Sequence, residues 1–167
     1  MADGKAALFS PAGLKDAPLP THYEPMESPV PNLLYPQQRA NPAAVRFERE
    51  DNPYHPSPDP EHPHVLTTYR LTEHHTGGAP TRGTPLLAEL QPEGFCEIPV
   101  ERAEELGVHT RDWVTISTAR GAVETRALVT RRLVPLVIDG RRIYEVGMPW
   151  HFGFEGYATG DIANVLT

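Results

Sequence analysis

The chain has 167 residues, a formal net charge of -7 and only 22% charged residues, enough for one domain with a core plus a sizeable extension. Nucleic acid is excluded as the main partner, because phosphate backbones are held by a surplus of Lys and Arg. No apolar run approaches the ~18 residues of a transmembrane helix, and a single cysteine, Cys96, excludes a disulfide framework or a Cys-rich metal site.

Met1 to Phe9 lack a basic stretch followed by an apolar core, so no signal peptide is expected. Residues 1–63 then read as a Pro-rich strap or linker, poorly ordered by itself. Of the 19 prolines, 13 lie between Pro11 and Pro63, and no helical or strand period is sustained there. Asn52 to Pro60 reads as polyproline-like or turn structure. Tyr23, Leu33, Leu34, Tyr35 and Phe47, with Leu8, Phe9 and Leu14, give such a strap apolar groups to bury against a body.

Residues 64–167 read as a compact β-rich domain. Val65 to Leu71 is a strand. Thr84 caps a short helix that starts at Pro85 and carries Leu86, Leu87 and Leu90. Phe95 to Ile98 is a second strand, and Pro99 opens a helix through Val100, Ala103 and Leu106 that Gly107 stops. Asp112–Thr118 and Val123–Thr130 flank an Arg120-Gly121 turn, where a positive φ at Gly121 is expected. Val123, Thr125, Ala127 and Val129 share one face of the latter strand, opposite Glu124 and Arg126. Asp139-Gly140 joins Leu136–Ile138 to Ile143–Val146 as a two-residue hairpin. There is no internal repeat. Many short strands, two short helices and few crossover-length connections favour a closed β-barrel over a doubly wound sheet.

Two loops carry the functional chemistry. Thr72, His74, His75, Thr76, Gly77 and Gly78 follow the first strand, with Arg82 shortly after. Hydroxyls, ring nitrogens and a guanidinium beside glycines suit a phosphate-bearing ligand that approaches the backbone. Trp150, His151, Gly153 and Gly156 follow the last strand, with Phe152 and Phe154 between them and Asn164 beyond. That set suits a flat heterocycle, with Asn164 offering both a donor and an acceptor to a ring edge. The alternative is a polar surface loop and ordinary barrel packing.

Adjacent His74 and His75 diverge on a strand and make a poor metal pair. Cys96 sits in an alternating strand as a buried structural thiol. His109 reads as solvent-facing, His62-Pro63-His64 as linker, and Glu101, Glu104 and Glu105 with Arg102 as a solvated helix face. No serine nucleophile elbow, phosphate-loop lysine or Gly-x-Gly-x-x-Gly fingerprint occurs. The chain offers no catalytic set and no metal set.

Longer strings point further. Pro18 to Pro29, Asn41-Pro42, Thr67 to His74, Leu87 to Glu93, Asp112-Trp113-Val114, Arg120-Gly121, Ala127 to Thr130 and Trp150-His151 occur in one order. That order resembles the C-terminal portion of the formate dehydrogenase large (alpha) subunit. The resemblance implies a double-psi β-barrel, the molybdopterin dinucleotide-binding, aspartate-decarboxylase-like fold, preceded by an extended Pro-rich segment. It implies molybdopterin guanine dinucleotide as cofactor, two of which hold Mo or W in the complete enzyme. Iron–sulfur clusters belong to parts absent from this chain.

Carried onto this sequence, Thr72, His74, His75, Thr76, Gly77, Gly78 and Arg82 line one side of the cofactor. Trp150, His151, Gly153, Gly156 and Asn164 line the other. Partners implied are the remaining domains of the same subunit and an electron-transfer iron–sulfur subunit, without nucleic acid or a direct membrane segment. The compartment stays open between cytoplasm and the periplasmic face of a membrane. Family members continue past Thr167, so a domain truncated at its C-terminus is expected. A nitrate or other oxyanion reductase, or a non-catalytic double-psi binding module, are the alternatives.

Overall fold

β1 (Val65–Tyr69) and β7 (Glu145–Pro149) lie side by side and parallel, with Tyr69 opposite Pro149. This computed structural model describes residues 22–25, 27–34, 36, 50 and 60–167. Between the two strands in sequence lie β2 (Phe95–Pro99), β3 (Trp113–Ser117), β4 (Ala122–Thr130), β5 (Leu136–Ile138) and β6 (Arg141–Ile143). The main sheet runs β1-β7-β2-β4-β3, and β5 with β6 forms a separate hairpin. β2 is parallel to β4, β3 is antiparallel to β4, and β2 meets β7 antiparallel through Glu97 and Gly147. The result is the mainly-β, short-helix architecture read from the sequence, curled as a half-barrel.

The local reasons are legible. In β4 the side chains of Val123, Thr125 and Ala127 are buried while Glu124 is exposed, the period of two that a half-buried strand needs. α2 (Pro85–Leu90) begins after Thr84 with Pro85 at its first position. α3 (Val100–Leu106) starts after Pro99 and ends at Gly107, whose φ of 66° lets its N–H reach the carbonyls of Ala103 and Glu104. Asp139 and Gly140 both have positive φ (50° and 73°), the pair a tight hairpin of this hand requires.

The sheet is covered by three small apolar clusters. Cys96, Ile98, Ala103 and Ala127 lock α3 onto β2 and β4. Val123, Met148, Ala163 and Leu166 hold the 3-10 turn Ala163–Leu166 against the strands. Ala88, Phe152 and Ala158 join α2 to the loop after β7. Leu166 is 1% exposed, so its burial contributes about 1.5–3 kcal/mol towards keeping the chain end on the sheet.

Four expectations need correction. A short helix α1 (Ala79–Arg82) forms in the loop after β1. The expected strand Ile143–Val146 is split: β6 ends at Ile143, and the buried Tyr144 turns the chain so that Glu145 can pair with β1. Gly121 lies outside the positive-φ residues. What it requires is space, because a Cβ there would come within 2.6 Å of the Val165 carbonyl oxygen. Leu33 and Leu34 are exposed, and among the described residues of that stretch Ser28 and Asn32 are buried. Leu8, Phe9, Leu14, Tyr35, Phe47 and residues 52–59 lie outside the described residues.

Glu24, Pro25 and residues 27–30 line a cavity of about 430 Å³ together with His64, Leu66, Arg120, Leu136 and Leu166 of the β-rich domain. Glu27 grips Arg120 with both oxygens, at 2.9 and 3.1 Å. Arg120 also reaches the Leu166 carbonyl at 3.4 Å, next to the Thr118 hydroxyl at 3.0 Å. One side chain therefore ties the Pro-rich stretch, the β3–β4 turn and the chain end together.

Candidate cofactor site

Parallel pairing of β1 and β7 sends residues 70–78 and 150–160 out of the same sheet edge. The Trp150 N–H donates to the Tyr69 carbonyl at 3.1 Å and carries the ladder one step beyond the strands. Two loops distant in sequence thus become neighbours. Buried side chains then bolt them together.

His151 is fully buried. Its Nε2 accepts from the Leu71 N–H at 2.6 Å, and its Nδ1 meets the Thr76 carbonyl at 2.5 Å. A backbone N–H can only donate and a carbonyl can only accept, so the ring is neutral with its hydrogen on Nδ1. Burial, first of all, holds its pKa below the ordinary imidazole value. The Thr76 bond opposes that shift, while His74 and Arg70 add to it.

Arg82 is also buried. Its Nε donates to the Glu155 carbonyl at 2.8 Å, and its Nη1 donates to the carbonyls of Gly77 at 2.6 Å and His151 at 2.9 Å. Its own carbonyl accepts from the Tyr157 N–H at 2.8 Å. His74, buried beneath the loop, donates from Nε2 to the Gln91 carbonyl at 2.8 Å and places Nδ1 3.1 Å from the Thr81 hydroxyl. Phe152 meets the His74 ring edge-on at 5.5 Å.

The expected site residues therefore divide. His74, Arg82 and His151 form the scaffold. Gly78, Gly153 and Gly156 belong with it: a Cβ on Gly78 would overlap the His151 carbonyl, and Cβ atoms on Gly153 and Gly156 would run into Arg82. Thr72, His75, Thr76 and Gly77 are exposed on the first loop, and nothing lies within 4 Å of where a Gly77 Cβ would stand. Trp150 is half-buried with the Arg70 guanidinium 5.0 Å from its ring centre. Asn164 is exposed on the 3-10 turn, which reaches Trp150 through the Ala163 cluster. Phe154 and Tyr157 project from the second loop with 77% and 73% of their surface free.

Sequence reasoning passed over three groups. Arg70 and Tyr157 could have been noticed as a cation and an aromatic in glycine-framed loops. Glu97 gave no signal, since it occupies an inward position of an apolar strand. It is buried with one oxygen 3.0 Å from the Arg132 guanidinium. Beside it the Tyr69 hydroxyl is buried without a hydrogen-bond partner among the described residues. Burial and then the Glu97 carboxylate push that phenol well above its ordinary pKa.

Elsewhere the chemistry is structural. Burial pushes the Cys96 thiol up to about 12, so it stays protonated. His109 is exposed and takes part in an Asp112 turn. His64 is no bare linker residue: it accepts from Arg102 at 2.8 Å, and Arg102 also holds Glu105, which accepts from Tyr144. Among the described residues no group of three or more His, Cys, Asp or Glu side chains could hold a metal ion, and no helix is long and apolar enough to cross a membrane.

Residues 65–167 match the molydopterin dinucleotide binding domain family, which is more than half of the chain and the whole of the sheet and both loops. The chain belongs to that family. Its relatives include the formate dehydrogenase subunit alpha of Megalodesulfovibrio gigas, 40% identical over 166 residues, covering 99% of this chain and 16% of that protein. The nitrate-inducible formate dehydrogenase major subunit of Escherichia coli is 42% identical over 168 residues, with the same shares covered. A nitrate reductase of Symbiobacterium thermophilum is 37% identical over 78 residues, covering 47% of this chain and 10% of that protein. The chain thus spans about a sixth of the length of the formate dehydrogenase relatives it matches.

The residues fit a pterin dinucleotide. The open face carries hydroxyls at Thr72 and Thr76, an imidazole at His75, an uncovered backbone at Gly77 and free aromatic faces at Phe154 and Tyr157. These are hydrogen-bonding groups for phosphates and stacking surfaces for a heterocycle. Behind them His74, Arg82 and His151 are already hydrogen-bonded to backbone groups of the two loops and of Gln91.

Proposed function

We propose that this chain is the cofactor-holding domain of a formate dehydrogenase alpha subunit, and that molybdopterin guanine dinucleotide lies along the edge where residues 70–78 and 150–160 meet. The observation that carries the reading is the parallel register of β1 with β7, which makes one surface of two glycine-framed loops. When bound, the Mo or W ion held by the pterins supplies the two-electron oxidation of formate to CO2. This chain binds and orients. Thr72, His75, Thr76 and Gly77 hold phosphate and pterin edges from one side, while Trp150, Asn164 and the free aromatic rings hold the heterocycles from the other. His74, Arg82, His151, Gly78, Gly153 and Gly156 keep the loops in place behind them.

The same reading takes residues 1–63 as a strap along the domain 64–167, supported by the Glu27–Arg120 ion pair. The remaining domains of the subunit and an iron–sulfur electron-transfer subunit are its partners. A second reading, the same domain in a nitrate reductase, has the shorter match over 78 residues in its favour.

The test is to isolate the complete protein that contains this chain, then assay released guanine nucleotide, metal content and formate-dependent dye reduction. Guanine nucleotide and formate oxidation are expected. Nucleotide with nitrate reduction and no formate oxidation would transfer the assignment to the second reading. Absence of any pterin nucleotide would remove both.

A further inference from the structure

Residues 72–77 of the first loop are short and polar, exposed except at the buried His74 and the half-buried Glu73, and carry a strained non-glycine residue, Thr76, at φ 47°. The far end is held by Arg82 at the Gly77 carbonyl and by Thr81 at the His75 N–H, and the His74 ring anchors the middle. One ring ties the two ends, because His151 bonds the start of the loop at the Leu71 N–H and Thr76 at its carbonyl. Both bonds exist together only for the neutral ring with hydrogen on Nδ1. A second hydrogen on Nε2 would point at the Leu71 N–H, and two donors cannot share a bond.

Building on the cofactor reading above, we propose that His151 is a positioning residue whose neutral ring clamps residues 71–77 in their ligand-facing shape, and that acid releases the dinucleotide by protonating Nε2 and opening that loop. The step adds one proton from solvent to Nε2 and breaks one hydrogen bond. No bond of the ligand changes. His151 itself is too deeply buried to touch ligand, so its effect passes through Leu71 and Thr76.

The charged and titratable groups around it act in known directions. The His74 ring stands 6.0 Å away, and the Arg82 guanidinium sits on the His151 carbonyl at 2.9 Å. Arg70 disfavours the added charge and Glu73 favours it. Burial outweighs Glu73 and the Thr76 carbonyl, so the transition falls below the ordinary histidine pKa of about 6.5.

The test compares the wild-type 167-residue chain with His151→Gln. A glutamine amide has an acceptor and a donor at nearly the separation of the two ring nitrogens, yet it does not titrate. Amide-exchange protection at Leu71, ring-nitrogen shifts of His151 and binding of guanosine 5′-diphosphate are measured from about pH 8 down to about pH 5, spanning the histidine range. In the wild type, Nδ1 carries the hydrogen at neutral pH. Leu71 protection then falls about tenfold per pH unit once protonation drives opening, and the diphosphate binds at least ~5-fold more weakly at the acid end. His151→Gln stays flat in protection and loses affinity less.

A flat wild-type Leu71, an equal fall in His151→Gln, or a hydrogen on Nε2 at neutral pH overturns the clamp. If the variant does not fold, the wild-type nitrogen shifts and Leu71 protection decide by the same criteria. A titrating clamp with no diphosphate binding at any pH overturns the cofactor reading and the release with it, leaving the clamp standing.

Discussion

Arg82 and His151 are joined backwards from what their chemistry suggests: the guanidinium of Arg82 donates to the backbone carbonyl of His151 at 2.9 Å, while the His151 ring faces the opposite loop. Each side chain closes on the other loop's backbone. The two loops are therefore tied to each other, and the groups left for a ligand are those on their surface, the hydroxyls of Thr72 and Thr76, the His75 ring and the free aromatic rings of Phe154 and Tyr157.

Arg82→Met should expose this bolt. It removes the donors for the carbonyls of Gly77, His151 and Glu155. Each hydrogen bond to a charged group is worth about 1.5–3 kcal/mol, so a loss on the order of 3 kcal/mol or more in urea unfolding is expected. Arg82→Lys, with one ammonium in place of a fork, should lose less. A stability unchanged in both variants would remove the scaffold role.

Gly121→Val should destabilise the domain by about 1–3 kcal/mol through overpacking. Its Cβ meets the Val165 carbonyl oxygen at 2.6 Å and Cγ1 at 2.7 Å. Because the cause is contact and not backbone conformation, Val165→Ala should recover part of the loss. Strict additivity in the double-mutant cycle would mean that the two positions do not touch.

Cys96 should resist alkylation in the folded chain, since its thiol is buried and titrates only at about 12. Iodoacetamide at about pH 8 should modify it only as fast as the domain unfolds. In the complete protein, Cys96→Ala should leave the metal content intact, whereas Asn164→Ala should speed cofactor release. An emptied metal site in Cys96→Ala would contradict the thiol's structural role.

Glu27→Gln should loosen residues 22–34 from the domain. The ion pair with Arg120 is mostly covered and two-pronged, which makes it worth more than the ~0.2–1 kcal/mol of an exposed pair. Proteolysis within residues 22–34 should become several-fold faster while cleavage between Val114 and Val129 stays unchanged. Faster cleavage in both places would mean that the pair supports the whole domain.

Acid should weaken the fold before the carboxylates protonate. His64 and His151 both have folded pKa values below the unfolded value, by burial first and for His64 then by Arg102. A depressed histidine contributes stability that is fully present above about pH 6.5 and is lost as pH falls through the folded pKa. The melting temperature should therefore begin to drop as pH falls below about 6.5, before Glu24 and Glu105, both held below the usual carboxylate value, begin to titrate. His64→Gln with His151→Gln should flatten that slope.

Local structure was readable in the sequence because its causes are local. Alternation in Val123–Thr130, Pro85 and Gly107 at helix ends, and Asp139-Gly140 in a hairpin each act within a few residues. The long strings shared with formate dehydrogenases pointed to the family for the same reason: they are written in one dimension. The tertiary structure alone decided which strands run parallel, and so which loops meet. It also decided that His74, Arg82 and His151 face inward while His75 and Thr76 face out. Adjacent histidines look alike in a sequence. Only the packing of Phe152 and the Gln91 carbonyl around one of them determines which ring water can reach.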